Sequence, residues 1–229
     1  MVAFADVPDT PSPGSLSIVS ASSSAFTLQW TAGTSQYISI TGYKLYTDFN
    51  QSGNYSLIYE APSYLRSFTH SSLIKGALYS YKLSALNFVG ESELLLSPVE
   101  RYACDLPGSV AHFATHLINT TAVSLSWSEP LDIGGCAVTG YQLEIDDGNS
   151  GSFSHMSGSP FASTILEYTE ATLFTASHPG LTFRFRVIPV NVIGPSTLYS
   201  YAETLLASVP DTPTSAPLLV NSTLTSIAV

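Results

Sequence analysis

Val7-Pro8-Asp9-Thr10-Pro11 recurs, letter for letter, as Val209-Pro210-Asp211-Thr212-Pro213, an offset of 209 − 7 = 202 residues. Two landmarks between the copies recur at about half that distance. Trp30 returns as Trp127 (127 − 30 = 97), and Ile40-Thr41-Gly42-Tyr43 as Val138-Thr139-Gly140-Tyr141 (138 − 40 = 98). A period of about one hundred residues indicates like domains in series. The expected organisation is the tail of a preceding repeat over residues 1–6, a first domain over 7–104, a second over 105–208 and the start of an incomplete third over 209–229. The chain then reads as a segment of a longer array.

Within each repeat, hydrophobic and polar residues alternate in short runs. Phe26-Thr27-Leu28-Gln29-Trp30, Tyr43-Lys44-Leu45-Tyr46 and Tyr79-Ser80-Tyr81-Lys82-Leu83-Ser84-Ala85 have counterparts in Val123-Ser124-Leu125-Ser126-Trp127, Tyr141-Gln142-Leu143-Glu144-Ile145 and Phe183-Arg184-Phe185-Arg186-Val187. Period-two alternation marks strands with one face buried and one wet. About seven such strands per hundred residues, with no helical period, imply an all-β fold of two packed sheets in each repeat.

The first repeat resembles the fibronectin type III module, an immunoglobulin-like sandwich of seven strands. Trp30 precedes Thr41-Gly42-Tyr43, then Leu73-Ile74-Lys75-Gly76-Ala77-Leu78-Tyr79, Tyr81-x-Leu83-x-Ala85-x-Asn87-x-x-Gly90 and Ser97. The second matches through Trp127, Glu129-Pro130, Gly134-Gly135, Thr139-Gly140-Tyr141, Pro179-Gly180, Asn191, Gly194 and Ser196. The resemblance implies that Trp30, Tyr43, Tyr79, Trp127, Tyr141 and Phe183 build the two cores, with Tyr79 hydrogen-bonded to nearby backbone. Two departures stand out. Phe183 occupies the corner tyrosine's position, so that bond is expected to be missing. Pro189 replaces the equivalent of Ala85 inside a central strand, where a bulge or an unpaired neighbour is expected.

Charged residues make up 10% of the chain, against about 25% in an average soluble domain, and the net charge is −10. Seven Lys and Arg give no basic footprint for nucleic acid and no attraction to an anionic membrane. No apolar run approaches the ~20 residues of a membrane span. The first residues lack the basic, apolar pattern of a signal peptide, so a targeting signal is expected outside the chain. Ser, Thr, Tyr and Asn must cover the surface, which suits either covalent glycans or contact with neighbours.

In a sandwich of this topology the start of the first strand and the loop between strands two and three share a pole, so Cys104 and Cys136 can meet. A bridge would close 136 − 104 = 32 residues and stiffen the short linker around Pro107-Gly108; it requires an oxidising compartment. The alternative is two unrelated small residues. Four Asn-x-Ser/Thr sequons, at Asn50, Asn54, Asn119 and Asn221, fall at expected turns or strand edges.

Chemistry is otherwise thin. His112 and His116 lie four apart on an expected strand, about 13 Å apart and too far to share one metal. Asp146, Asp147 and Asn149 offer some oxygens for calcium, but Asp-Asp-Gly-Asn is far more often simply a hairpin turn. Arg184 and Arg186 share a strand face and either stack on aromatics, meet a partner's carboxylate or solubilise that face. No nucleophile, P-loop or dinucleotide motif occurs. We therefore expect no enzyme, cofactor or metal. The expected role is a structural and interaction segment of an extracellular or cell-surface array (a stalk, matrix or filament component) whose partners are neighbouring modules or other copies, covalent glycans and an unidentified protein ligand. Two alternatives are a receptor ectodomain, with Tyr37, Phe161 and Tyr199 as loose contact candidates, and a spacer in a secreted polysaccharide-degrading enzyme. A highly charged cytosolic array fits the composition less well.

Overall fold

The computed structural model describes residues 6–119, 121–171, 180–206, 215, 221–223 and 226–228. Every regular element among them is a β-strand, as the alternation predicts. The first seven are β1 (Leu16–Ala21), β2 (Ala25–Trp30), β3 (Gly42–Phe49), β4 (Ser56–Pro62), β5 (Ser67–Ser71), β6 (Leu78–Leu86) and β7 (Val99–Tyr102). They form two antiparallel sheets, β1-β2-β5 and β4-β3-β6-β7, packed face to face. The pleat explains the packing: in β2, Phe26, Leu28 and Trp30 turn inward and Gln29 faces solvent.

The same plan repeats in β8 (Phe113–Asn119), β9 (Ala122–Trp127), β10 (Val138–Ile145), β11 (Ser154–His155), β12 (Phe161–Ala162), β13 (Glu167–Glu170), β14 (Thr182–Asn191), β15 (Gly194–Pro195) and β16 (Ser200–Leu205). One sheet is β8-β9-β13. In the other, β10 is flanked by β14 on one side and by β11 and β12 on the other, and β14 also pairs with β15 and β16. The fourth and seventh ribbons are each broken in two, so the seven-ribbon plan is kept. A short hairpin, β17 (Asn221–Thr223) with β18 (Ser226–Ala228), follows. Residues 1–5 and most of 207–220, which carry the expected tail of a preceding repeat and the second Val-Pro-Asp-Thr-Pro, lie outside the described residues.

Each sandwich owns a separate core. Trp30 meets Tyr43 edge-on with ring centres 6.1 Å apart, and Trp127 meets Tyr141 likewise at 5.6 Å. Of the six expected core residues, Trp30, Tyr43, Tyr79, Trp127, Tyr141 and Phe183, none is more than 6% exposed. The Tyr79 hydroxyl accepts the Ile74 N–H at 3.0 Å. Phe183 fills the same place in β14 without a hydroxyl to accept such a bond.

Pro189 lies inside β14, opposite Tyr141, and the pairing of β10 with β14 slips between Val138 and Gly140 close by. The first sandwich shows why a proline is tolerated. The equivalent Ala85 N–H points away from β3 and donates to the Ser92 hydroxyl at 3.0 Å, so no strand partner is lost when it is absent. Ser196, the counterpart of Ser92, keeps its N–H bond to the Pro189 carbonyl. Its hydroxyl donates to the Pro107 carbonyl at 2.6 Å, where the Ser92 hydroxyl donates to Glu93 O at 2.9 Å. The Ser196 bond ties the linker to the second sandwich.

Candidate functional site

The densest constellation of specific contacts is the joint between the two sandwiches. The linker leaves β7 at Tyr102, and Ala103 is completely buried. Its N–H donates to Ala77 O, and its carbonyl accepts the Gly76 N–H, which ties it to the first sandwich. Cys104, one residue later, is bonded to Cys136 in the loop before β10, with Cα atoms 5.8 Å apart and both residues buried. The expected meeting of the two thiols at one pole is what the geometry contains.

Asp105 is the hinge residue of this joint. Its side chain accepts the Ser23 N–H of the first sandwich at 3.0 Å. Its backbone faces the second, where its N–H donates to Gly134 O and its carbonyl accepts the Asn191 side-chain amide at 2.9 Å. The same amide reaches Ile133 O at 3.1 Å. Gly108 N–H to Asp132 O completes the grip. The approach is close enough to require glycine on both sides. A Cβ on Gly76 would stand 2.8 Å from Gly135 O, one on Gly134 would collide with the Asp105 carbonyl, and one on Gly135 with the Lys75 side chain. All three glycines have positive φ, which other residues adopt only with strain.

The grip on the incoming chain is repeated at the head of the first sandwich. The Asn87 amide donates to Asp6 O at 2.7 Å, and its carbonyl oxygen accepts Val89 and Gly90 N–H groups. Asn191 does the same with Asp105 O and with Ile193 and Gly194. Asp9 N–H to Thr34 O corresponds to Gly108 N–H to Asp132 O. The sequence carried a trace of this device in the recurring Asn-x-x-Gly, but nothing in one chain says that the asparagine faces the preceding linker.

Ordered charge collects on the outer face of the larger sheets. Lys82 lies over Tyr55 at 4.8 Å, and at the matching place Arg186 lies 4.2 Å from the Phe153 ring centre and 5.0 Å from Tyr199. Arg186 also pairs with Glu144, and Arg184 with Asp146 at 2.7 Å. Of the roles open to Arg184 and Arg186, stacking and pairing within the chain is the one present. The smaller sheet of the first sandwich presents hydroxyls and one amide instead: Ser17, Thr27, Gln29, Ser67, Thr69 and Ser71 alternate with the buried and half-buried residues of β1, β2 and β5.

Glu91 is the hub of the first sandwich's charged face. It accepts from Lys44 Nζ at 2.8 Å and from the Tyr46 and Ser84 hydroxyls at 2.6 Å each. Burial pushes its carboxyl up, but the bonds from Lys44, Ser84 and Tyr46 outweigh it and hold the pKa below the ordinary glutamate range. A carboxylate with a lowered folded pKa adds stability above its unfolded pKa of about 4.3 and loses it as pH falls through the folded value. Glu91→Gln is therefore expected to cost the first sandwich about 1 kcal/mol near pH 7 and to flatten its acid sensitivity below about pH 4. Urea unfolding of both forms across that range measures it.

His70 is half-buried, with Nδ1 2.9 Å from the Tyr81 hydroxyl, and burial lowers its pKa. His112 precedes β8 and His116 lies on it. The hairpin reading of Asp146, Asp147 and Asn149 matches the structure. Asp146 accepts Gly148 and Arg184 N–H groups, and Asp147 accepts those of Asn149 and Gly151, which holds the Asp147 carboxyl below its usual range. Among the described residues no three acidic, His or Cys side chains converge on a metal-sized centre. Tyr37 is exposed in the loop before β3, Phe161 packs on the second core and Tyr199 stacks under Arg186, so the three do not form one surface.

Asn50, Asn54 and Asn119 are exposed. Asn50 has a φ of 54° and its side-chain oxygen accepts the Leu78 N–H. Asn119 ends β8 and accepts both the N–H and the hydroxyl of Thr121. Asn221 opens β17.

The strand order and pairing give each unit the fold of a fibronectin type III sandwich, two of them in tandem. No family model matches the chain. It is 25% identical over 197 residues to a titin homolog of Caenorhabditis elegans, and 25% identical over 146 residues to human myomesin-2. Those alignments cover 82% and 62% of this chain but only 1% and 10% of the two relatives. Among solved structures it is similar to a two-domain fibronectin type III segment of chicken tenascin (TM-score 0.44, 18% identity, 87% of this chain and 100% of that one). It is also similar to the FN1–FN3 domains of chicken CNTN1 (TM-score 0.38, 16% identity, 95% and 73%).

Proposed function

We propose that the chain is a non-catalytic structural and interaction segment of an extended extracellular array, with modules over 7–104 and 105–208 and the first strands of a third over 209–229. The observation that carries this reading is the joint. Asp105 is bonded to both sandwiches and Cys104 is stapled to Cys136, so the angle between beads is built in rather than left to a floppy linker. Head-to-tail repetition of one such joint gives an open extended assembly. A buried disulfide supports an oxidising compartment. The exposed sequons at Asn54 and Asn119 and the charge-poor surface support covalent glycans.

A second reading is an intracellular filament, favoured by the likeness to the titin homolog and to myomesin-2. Peptide mass spectrometry of unreduced protein from its native source separates the two. The proposal expects a linked Cys104–Cys136 peptide and hexosamine on Asn54 or Asn119. Free thiols together with bare asparagines would sink it and leave the intracellular array.

A further inference from the structure

The first sandwich carries an open cleft of about 440 Å³ at the pole where its chain enters, lined by Gly33, Ser35, Ser39, Ser63, Tyr64 and Arg66 among others. That volume falls in the range of small-ligand sites, and the cleft is open to solvent. We propose that this cleft binds a carboxylate-bearing sugar, a uronic acid unit of an acidic glycan, with Arg66 on the carboxylate and Tyr64 against the ring. The inference is independent of the array reading.

Its walls are held by backbone bonds rather than by the ligand. The Ser63 N–H donates to Thr41 O, the Leu65 N–H to Pro62 O, and the Arg66 carbonyl accepts the Trp30 N–H at 3.0 Å. These bonds fix the turn that presents Tyr64, whose ring side chain stands 79% exposed. At the back, the Gly33 N–H donates to the Tyr43 hydroxyl at 2.9 Å. Gly33 packs beside Ile40, where a Cβ would come within 2.9 Å of the end of the Ile40 side chain.

The charge pattern selects the ligand. The chain has seven Lys and Arg. Lys44, Arg184 and Arg186 are paired with carboxylates, Lys82 sits on Tyr55, Lys75 packs at the joint and the Arg101 Nε is buried. Arg66 is exposed, makes no ion pair among the described residues, and faces the cleft. A guanidinium fork matches a carboxylate in two parallel bonds. Asp6 and Asp9 line an adjacent hollow that shares Ser35 with the cleft, and their negative charge would repel an anion, so a bound carboxylate has its place at the Arg66 end. Three serine hydroxyls beside an exposed aromatic suit a pyranose, which offers hydroxyls at its rim and C–H groups on its face. An extended acidic peptide is disfavoured, because Pro62 ends the neighbouring edge strand β4 and offers no N–H for a main-chain ladder.

The test is titration of the whole ¹⁵N-labelled chain, followed by amide spectra, with D-glucuronate, with glucose and with an acidic tripeptide. Glucuronate is expected to shift Gly33, Ser63 and Arg66 with a dissociation constant on the order of 1 mM, as its size allows. Glucose is expected to bind at least about tenfold more weakly, and Arg66→Gln to weaken glucuronate by about the same factor. Tyr64→Ala should weaken it too, and Arg66→Lys should restore part of the loss. Both positions are exposed, and unchanged spectra elsewhere show that each variant is folded. No shift at the cleft, glucose binding as tightly as glucuronate, or no effect of Arg66→Gln would overturn the proposal. So would an acidic tripeptide that binds as tightly as the sugar.

Discussion

Replacing Cys104 and Cys136 together with alanine is expected to lower the stability of the second sandwich by about 3–4 kcal/mol, because the bridge closes a loop of 32 residues in the unfolded chain. The loop contains β8 and β9 and much of the path to β10, so the unfolded ensemble it restricts is that of the second unit alone. Trp127 reports the change, and a Trp30→Phe background removes the other indole. Guanidinium unfolding followed by fluorescence should show one transition moved to lower denaturant. Asp105 would still be held by Asn191, Gly134 and Ser23, so the joint should loosen without separating. A loss below about 1 kcal/mol would mean that those bonds, and not the bridge, fix the linker.

Trp127→Ala should cost the second sandwich about 3–5 kcal/mol, and Trp30→Ala the first by as much. Each indole is nearly buried and packs edge-on against a tyrosine of the facing sheet, so truncation opens a void that flanking strands cannot fill. Against a total stability of about 5–15 kcal/mol for a small domain, this leaves the affected unit marginal. The two cores share no residue. Each substitution is therefore expected to move only its own transition and leave the amide spectrum of the other sandwich in place. Loss of both units together would show that the joint couples their folding.

Much of the fold was legible because period-two alternation survives without an alignment. Phe26, Leu28 and Trp30 had to share a face, and the one-hundred-residue recurrence said that the pattern occurs twice. Pro189 was legible as an anomaly but not as a solution. Its harmlessness depends on which way one N–H points, and that follows from the strand register rather than from propensity. Arg184 and Arg186 were legible as cations on one face. Their partners, Phe153, Tyr199, Glu144 and Asp146, come from other strands and become neighbours only through register. The cleft at Tyr64 and Arg66 left no trace in the sequence at all, since its walls come from two loops brought together by the sandwich.

The sequence by itself determined the all-β class, the two-unit repeat and the identity of the core, because burial of a strand face demands a local, periodic pattern that one chain displays in full. Only the tertiary structure decided what joins the units and what lines the cleft of the first sandwich. Asn87, Asn191, Asp105 and Gly134 act on groups that lie in other loops or strands. A short motif such as the recurring Asn-x-x-Gly does not name its partner, so these contacts exist as chemistry only once the sheets have brought the loops to the same pole.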